Sequence, residues 1–188
     1  MKPVGVVLAG GRGRRIGGEK ALVALAGRPL LLYPVAALAA VLDDVAVICK
    51  EHTPLPDLGG QAEIWCEAEP ELHPLVGVVA ALRRTAEHGR GVLVCAGDMP
   101  LVTAGALGAL LAAPPAPAAV ARANGRLQPL LARYGPEALA TLESREPGEP
   151  ATRVVERLDP LAVDVDERAV FNVNVPEDLL LAERQASM

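Results

Sequence analysis

The feature that most constrains this chain is a short apolar run ending in a glycine- and arginine-rich loop. Val4 to Leu8 has the length and composition of a buried strand. It leads straight into Ala9-Gly10-Gly11-Arg12-Gly13-Arg14-Arg15-Ile16-Gly17-Gly18-Glu19-Lys20. Glycine lets the backbone turn sharply and brings its N–H groups close to a ligand. Successive N–H groups in such a turn form an anion-binding concavity. Arg12, Arg14, Arg15 and Lys20 add cationic charge to the same loop. A strand of this kind belongs in a sheet covered on both faces, with the loop at its carboxyl end. The loop chemistry points to the triphosphate of a nucleotide.

The rest of the chain alternates strand and helix signals. Residues 29–42 read as a helix with Pro29 at its first position, and Pro34 marks a kink or the true start. Strands are expected over 45–49, 63–66 and 91–95, with a helix over 76–88. A helix over 106–112 ends at the stiff run Pro114-Pro115-Ala116-Pro117. Asn124-Gly125, flanked by apolar arms over 118–123 and 127–134, is a hairpin signal. Pro129 demotes part of the second arm to an edge or non-strand segment. Helices over 136–142 and 151–158, a strand over 161–165 and a C-terminal helix opening at Pro176 complete the pattern. The fold class is therefore α/β: one doubly wound, mainly parallel but mixed sheet with helices on both faces. Residues 1–113 form a nucleotide-binding half of that single domain and residues 118–188 a second-substrate half.

Composition removes several functions. Aromatic residues make up 2% of the chain and the net charge is −5, which excludes stacking platforms and a general nucleic-acid binder. Cys49, Cys66 and Cys95 are scattered singly, so no zinc site is expected and each reads as a buried core thiol. There is no signal peptide and no uninterrupted apolar run of roughly 18 residues, so the expectation is a soluble cytoplasmic protein without a membrane partner.

The loop does not fit the two best-known phosphate-binding patterns. A Walker A loop needs Lys directly after its last glycine, whereas Glu19 follows Gly18. A dinucleotide fingerprint lacks its third glycine, since Ile16 stands there, and strand two ends near Lys50 instead of an acidic residue. Nucleotidyltransferases, which place a Gly/Arg loop and a downstream lysine on a nucleoside triphosphate, remain. Lys20 can neutralise phosphate charge as pyrophosphate leaves. Asp98, in Gly97-Asp98-Met99-Pro100 after strand four, is a hard oxygen ligand for Mg²⁺ at the same sheet edge. It could instead cap a turn. Asn172 and Asn174 flank Val173, so on a strand both amides face one ligand. Alternatively, Asn174 caps the last helix.

These residues together resemble the MobA-like molybdenum cofactor guanylyltransferases. Leu8-Ala9-Gly10-Gly11 with Arg15-Ile16-Gly17-Gly18-Glu19-Lys20-Ala21-Leu22 resembles that family's L-A-G-G-x-x-x-R-M-G-x-D-K-x-L loop. His73-Pro74-Leu75-Val76-Gly77, Gly97-Asp98-Met99-Pro100, Arg126-Leu127-Gln128-Pro129-Leu130 and Asn172-Val173-Asn174-Val175-Pro176-Glu177-Asp178-Leu179 resemble its later motifs, in family order. Glu19, Glu67, Ile16, Gly97, His73 and Ile48 depart from the family pattern.

The resemblance implies an Mg²⁺-dependent transfer of GMP from GTP to molybdopterin. It implies Leu8, Ala9, Gly10 and Gly11 against the nucleotide, and Lys20 and Arg15 as catalytic cations. Asp98 would be the metal ligand and Glu67 a nucleotide contact. Gln128, Asn172 and Asn174 would face the pterin side or the phosphates being joined. Insertion chaperones of molybdoenzymes are implied as partners. Gly10, where a cytidylyl-transferring branch tends to carry alanine, favours a purine. Cytidylyl or other nucleotidyl transfer to molybdopterin or a sugar or polyol phosphate is the alternative, and a non-catalytic nucleotide-binding regulator is a third.

Overall fold

A computed structural model describes residues 1–10, 19–68 and 73–186. In chain order the elements are β1 (Val4–Leu8), β2 (Ala24–Leu25), β3 (Arg28–Pro29), α1 (Leu32–Ala39), β4 (Val45–Lys50), β5 (Glu63–Glu67), α2 (Val76–Ala86), β6 (Val92–Ala96), α3 (Ala104–Ala112), β7 (Ala118–Ala123), β8 (Arg126–Tyr134), α4 (Leu139–Glu143), α5 (Ala151–Glu156), β9 (Leu161–Asp164) and α6 (Pro176–Ala186).

The main sheet has seven strands in the order β5-β4-β1-β6-β8-β7-β9. The pairs β5–β4, β4–β1 and β1–β6 are parallel, β8 runs antiparallel to both neighbours, and β7–β9 is parallel again. The sheet is thus mainly parallel and mixed, as expected, and it spans both halves of the chain. Strand order reverses between β1 and β6, which makes their carboxyl ends the crevice where ligands bind such sheets.

Alternation along each strand feeds two cores. Val4, Val6, Ile48, Val94 and Val120 face α2, α4 and α5; Val7, Val47, Cys95, Ala119 and Leu131 face α1 and α3. A third, smaller cluster joins Leu25 and Leu30 to Val173 and Ala182, tying α6 to the segment after Lys20.

Several sequence expectations change. Pro29 does not open a helix. Ala26 (φ 48°) and Gly27 (φ 78°) form a two-residue turn with both φ values positive, and β2 and β3 pair across it. Helix α1 starts at Leu32, so Pro34 falls in the first turn, where its missing N–H is harmless. Strand β8 runs unbroken through Pro129, but β6 pairs only with its residues 131–134, so residues 126–128 have β7 alone beside them and that part of the arm is edge, as expected. Its register against β7 jumps from Val120↔Ala132 to Ala121↔Gln128, so Pro129 lies in a bulge and removes no bond of that ladder. The Tyr134 hydroxyl, fully buried, secures the bulge by donating to the Pro129 carbonyl at 2.7 Å. Cys66 is exposed rather than a core thiol, because β5 is the sheet's outer strand; Cys49 and Cys95 are buried.

Candidate active site

The site is assembled at the β1/β6 crossover. Leu8 and Ala9 close β1, and Ala9 N–H donates to the Ile48 carbonyl at 2.9 Å, extending the ladder to the loop's edge. The Gly97 N–H donates to the Leu8 carbonyl at 3.0 Å. A Cβ on Gly97 would lie 2.9 Å from Leu31 Cδ1 and 3.0 Å from the Leu8 oxygen, so glycine is what lets the chain after β6 lie against the end of β1. Gly10 is exposed, with nothing within 4 Å of a Cβ built on it. Among the described residues nothing crowds that position. Gly11 and Arg15 lie outside the described residues.

Lys20 opens a single 3₁₀ turn, Lys20–Leu22, just before the β2–β3 hairpin. Its Nζ donates to Asp98 Oδ2 at 2.6 Å and to Asn174 Oδ1 at 2.7 Å. Two of the ammonium's three protons are thus committed, leaving one for a further acceptor. The Lys20 and Asp98 side chains are 16% and 22% exposed, enough for a ligand to reach them and enough shielding to strengthen their attraction. Asp98 Oδ1 is buried and has no hydrogen-bond partner among the described residues. An orphaned carboxylate oxygen beside an ion pair can accept a cation or a donor from a ligand.

Asn174 is held at both ends. Val173 N–H donates to the Asp98 carbonyl at 2.9 Å, lashing this segment to the turn after β6. Asp178 Oδ2 accepts from the Asn174 and Val175 N–H groups at 2.7 and 3.1 Å, so a carboxylate in the first turn of α6 fixes the chain that enters it. The amide of Asn174 therefore faces Lys20 and does not cap the helix.

The expectation that Asn172 and Asn174 share a strand face is not met, because residues 171–174 form no strand. The Asn172 amide instead donates to the Val170 carbonyl two residues back, at 2.9 Å.

Glu67, the last residue of β5, is ion-paired with Lys50, the last residue of β4. Its side chain is 8% exposed and Oε2 has no partner among the described residues. Sequence reasoning had noticed Lys50 only as a missing acid. Its place opposite Glu67 follows from the β4–β5 register. Gln128 sits where antiparallel β8 begins, beyond the Cys95↔Leu131 pair and so at the same carboxyl edge, but its amide joins none of the contacts around Lys20.

His73, which departs from the family glycine, also has a structural role. Its Nδ1 accepts from Leu75 N–H at 3.2 Å, which leaves Nε2 protonated to donate to the Glu149 carbonyl at 2.8 Å. Among the described residues no three His, Cys, Asp or Glu side chains cluster as a metal site. No helix among them is long and apolar enough to cross a membrane.

Comparison with known proteins agrees with this geometry. Residues 5–162 match the MobA-like NTP transferase domain. A molybdenum cofactor guanylyltransferase of Cereibacter sphaeroides is 36% identical over 97% of this chain and 96% of its own length. Another, from Ectopseudomonas mendocina, is 33% identical over 96% of this chain and 92% of its own. Among solved structures, the molybdopterin-guanine dinucleotide biosynthesis protein A of Archaeoglobus fulgidus superposes with a TM-score of 0.75 at 27% identity, covering 100% of this chain and 99% of that one. The 2-C-methyl-D-erythritol 4-phosphate cytidylyltransferase of Thermus thermophilus shares the fold, with a TM-score of 0.67 at 24% identity over 99% of this chain and 100% of that one.

Proposed function

The chain belongs to the MobA-like NTP transferase family, and we propose that it transfers GMP from GTP to the phosphate of molybdopterin, releasing pyrophosphate and forming the guanine dinucleotide cofactor. The observation that carries this reading is the closed contact of Lys20 with Asp98 and Asn174 at the β1/β6 crossover. In the reaction, an oxygen of the molybdopterin phosphate forms a bond to the α-phosphorus of GTP. The bond from that phosphorus to the bridging oxygen breaks, and pyrophosphate leaves with the electron pair. Both substrates are anions, so the protein must supply fixed positive charge where they meet. Lys20 does this through its remaining proton, with Asn174 and Asp98 holding the ammonium in place.

Mg²⁺ fits the residues present. Asp98 offers a buried oxygen with no other partner among the described residues, and Mg²⁺ is ordinarily held by one or two carboxylates together with substrate phosphates and water. When bound there, the ion offsets phosphate charge and orients the phosphates. Asp98 is the residue that would hold it.

Glu67 lies two strands from β1, about 10 Å across the sheet at the usual spacing, which is the reach of a nucleoside whose phosphates sit at Lys20. Its Oε2, without a partner among the described residues, suits the N–H donors of a guanine edge. In this reading the first half of the chain holds GTP. Gln128 and the segment carrying Asn172 and Asn174 close the pterin side, with Asn172 shaping the loop. Gly11 and Arg15 complete the phosphate grip.

The test is pyrophosphate release with Mg²⁺, molybdopterin and each nucleoside triphosphate in turn. Release with GTP supports the proposal. Release with CTP alone makes the protein a cytidylyltransferase, and none with any triphosphate makes it a binding protein.

A further inference from the structure

We propose that Cys49 and Cys66 form a modification site, closing into a reversible disulfide when the protein meets a hydroperoxide. The two residues stand opposite each other on neighbouring parallel strands, in the register Cys49↔Cys66 of β4 and β5. Opposed residues in a ladder project to the same face and lie about 4.8 Å apart, within the Cα separation of about 4.4–6.8 Å that a disulfide spans. Cys66 lies near enough to Cys49 to help hold its thiol in the protonated form. Cys95 is fully buried on β6, and β1 lies between β6 and β4, so it cannot join the pair.

Their environments assign the order of events. Cys66 is exposed on the outer strand and meets the oxidant first. Its thiolate attacks the peroxide, the O–O bond breaks, sulfur loses two electrons to become a sulfenic acid, and the departing oxygen takes a proton from solvent to leave as an alcohol, or as water from hydrogen peroxide. Cys49, 3% exposed, is screened from the oxidant but not from its neighbour. Its sulfur then attacks the Cys66 sulfur, an S–S bond forms, the S–O bond breaks, and the departing hydroxide takes the Cys49 proton and leaves as water. Burial and the adjacent Cys66 and Glu67 keep Cys49 mostly protonated, with its pKa pushed up to about 11. The step proceeds because the partner is held alongside, at high effective concentration.

The strand spacing already lies within the disulfide's Cα range, so closure at this rung needs side-chain adjustment and no change of strand order. With Cys66 on the exposed outer strand the bond is open to thiol reductants, which is the property of a regulatory disulfide. The next rung toward the carboxyl edge is Lys50↔Glu67.

The experiment treats the purified full chain with hydrogen peroxide and maps it by mass without reduction. A loss of about 2 Da, a peptide linking Cys49 to Cys66, and reversal by a thiol reductant are expected. Cys49→Ser should leave Cys66 as a dimedone-reactive sulfenic acid, a gain of about 16 Da before trapping, and Cys66→Ser should show neither change. Oxidation of Cys66 to the sulfinic state with Cys49 still alkylatable would overturn the proposal. So would a linkage through Cys95 or between two chains. The unsubstituted protein decides the question alone if either serine variant fails to fold.

Discussion

Lys20 Nζ stands 2.6 Å from Asp98 Oδ2 although 78 positions separate the two residues in the chain. The ammonium also bonds to Asn174, 154 positions away. One lysine therefore ties the loop after β1, the turn after β6 and the segment before α6 into a single centre.

Removing either member of that pair should sharply slow turnover without unfolding the protein. Lys20→Ala and Asp98→Ala are expected to lower kcat by about 10²–10³-fold, the range for losing one preorganised charge on a developing anion. Circular dichroism on the same samples separates lost chemistry from lost structure. Asp98→Asn should also weaken Mn²⁺ binding, followed by water proton relaxation in the presence of GTP. Unchanged Mn²⁺ affinity would remove Asp98 from the metal role.

Asn174 and Asn172 should behave differently despite their matching positions in the motif. Asn174→Ala is expected to cut kcat by about tenfold or more, since it removes one of the two acceptors orienting Lys20. Asn172→Ala removes a local bond to Val170 and should act mainly on thermal stability. Asp178→Ala should lower kcat through Asn174. If it does, the Asp178→Ala/Asn174→Ala double variant will be no slower than Asn174→Ala alone, and fully additive losses would refute that coupling. Asp178→Asn keeps an acceptor oxygen and should restore most of the rate.

If Glu67 contacts the base as proposed, and not the reacting phosphates, Glu67→Gln should raise KM for GTP by about 10-fold while kcat changes little. Inosine triphosphate lacks the 2-amino group. The preference of the unsubstituted enzyme for GTP over it should shrink in the variant. Equal KM values for GTP in the two proteins would place the base elsewhere.

Cys49 makes alkaline pH a probe of β4. Its thiol is raised from 9.0 to about 11, chiefly by burial. Because the unfolded chain deprotonates first, this group's contribution to stability is complete below about pH 9 and is lost as pH rises toward about 11. Urea midpoints measured across that window should fall less steeply for Cys49→Ala than for the parent. In the folded protein a thiol reagent at pH 8 should label Cys66 and spare Cys49 and Cys95.

Tyr134→Phe tests the bulge that sets the start of β8. The substitution leaves the Pro129 carbonyl without its buried donor, which costs about 1–2 kcal/mol. A midpoint lower by roughly 2–8 °C in a thermal melt is the expected size for a chain of this length. The reaction rate should fall only if Gln128, one residue before Pro129, matters to it.

Much of the fold was legible because it is written in local pattern. Apolar runs bounded by turn residues placed β1, β4, β5 and β6 within a residue or so, and Asn124-Gly125, both with positive φ, closed its hairpin as expected. Residue type alone makes the glycine loop, Lys20, Asp98, Asn172 and Asn174 candidates for chemistry. The β2–β3 hairpin was missed, because Ala26 is a poor signal for a left-handed turn. It holds that conformation with its N–H donating to Glu183 of α6 at 3.1 Å and with Leu25 packed on Val173 and Ala182.

By itself, then, the sequence determined the longer strands of the main sheet and the family to which its motifs belong. The tertiary structure alone decided that Asn174 turns to Lys20 while Asn172 turns away, that Glu67 faces Lys50, and that Cys49 faces Cys66. Periodicity and turn chemistry act over a few residues, so they can be read along the chain. Side-chain partnerships across 78 or 154 positions depend on strand order and register, which are fixed only when the whole core packs.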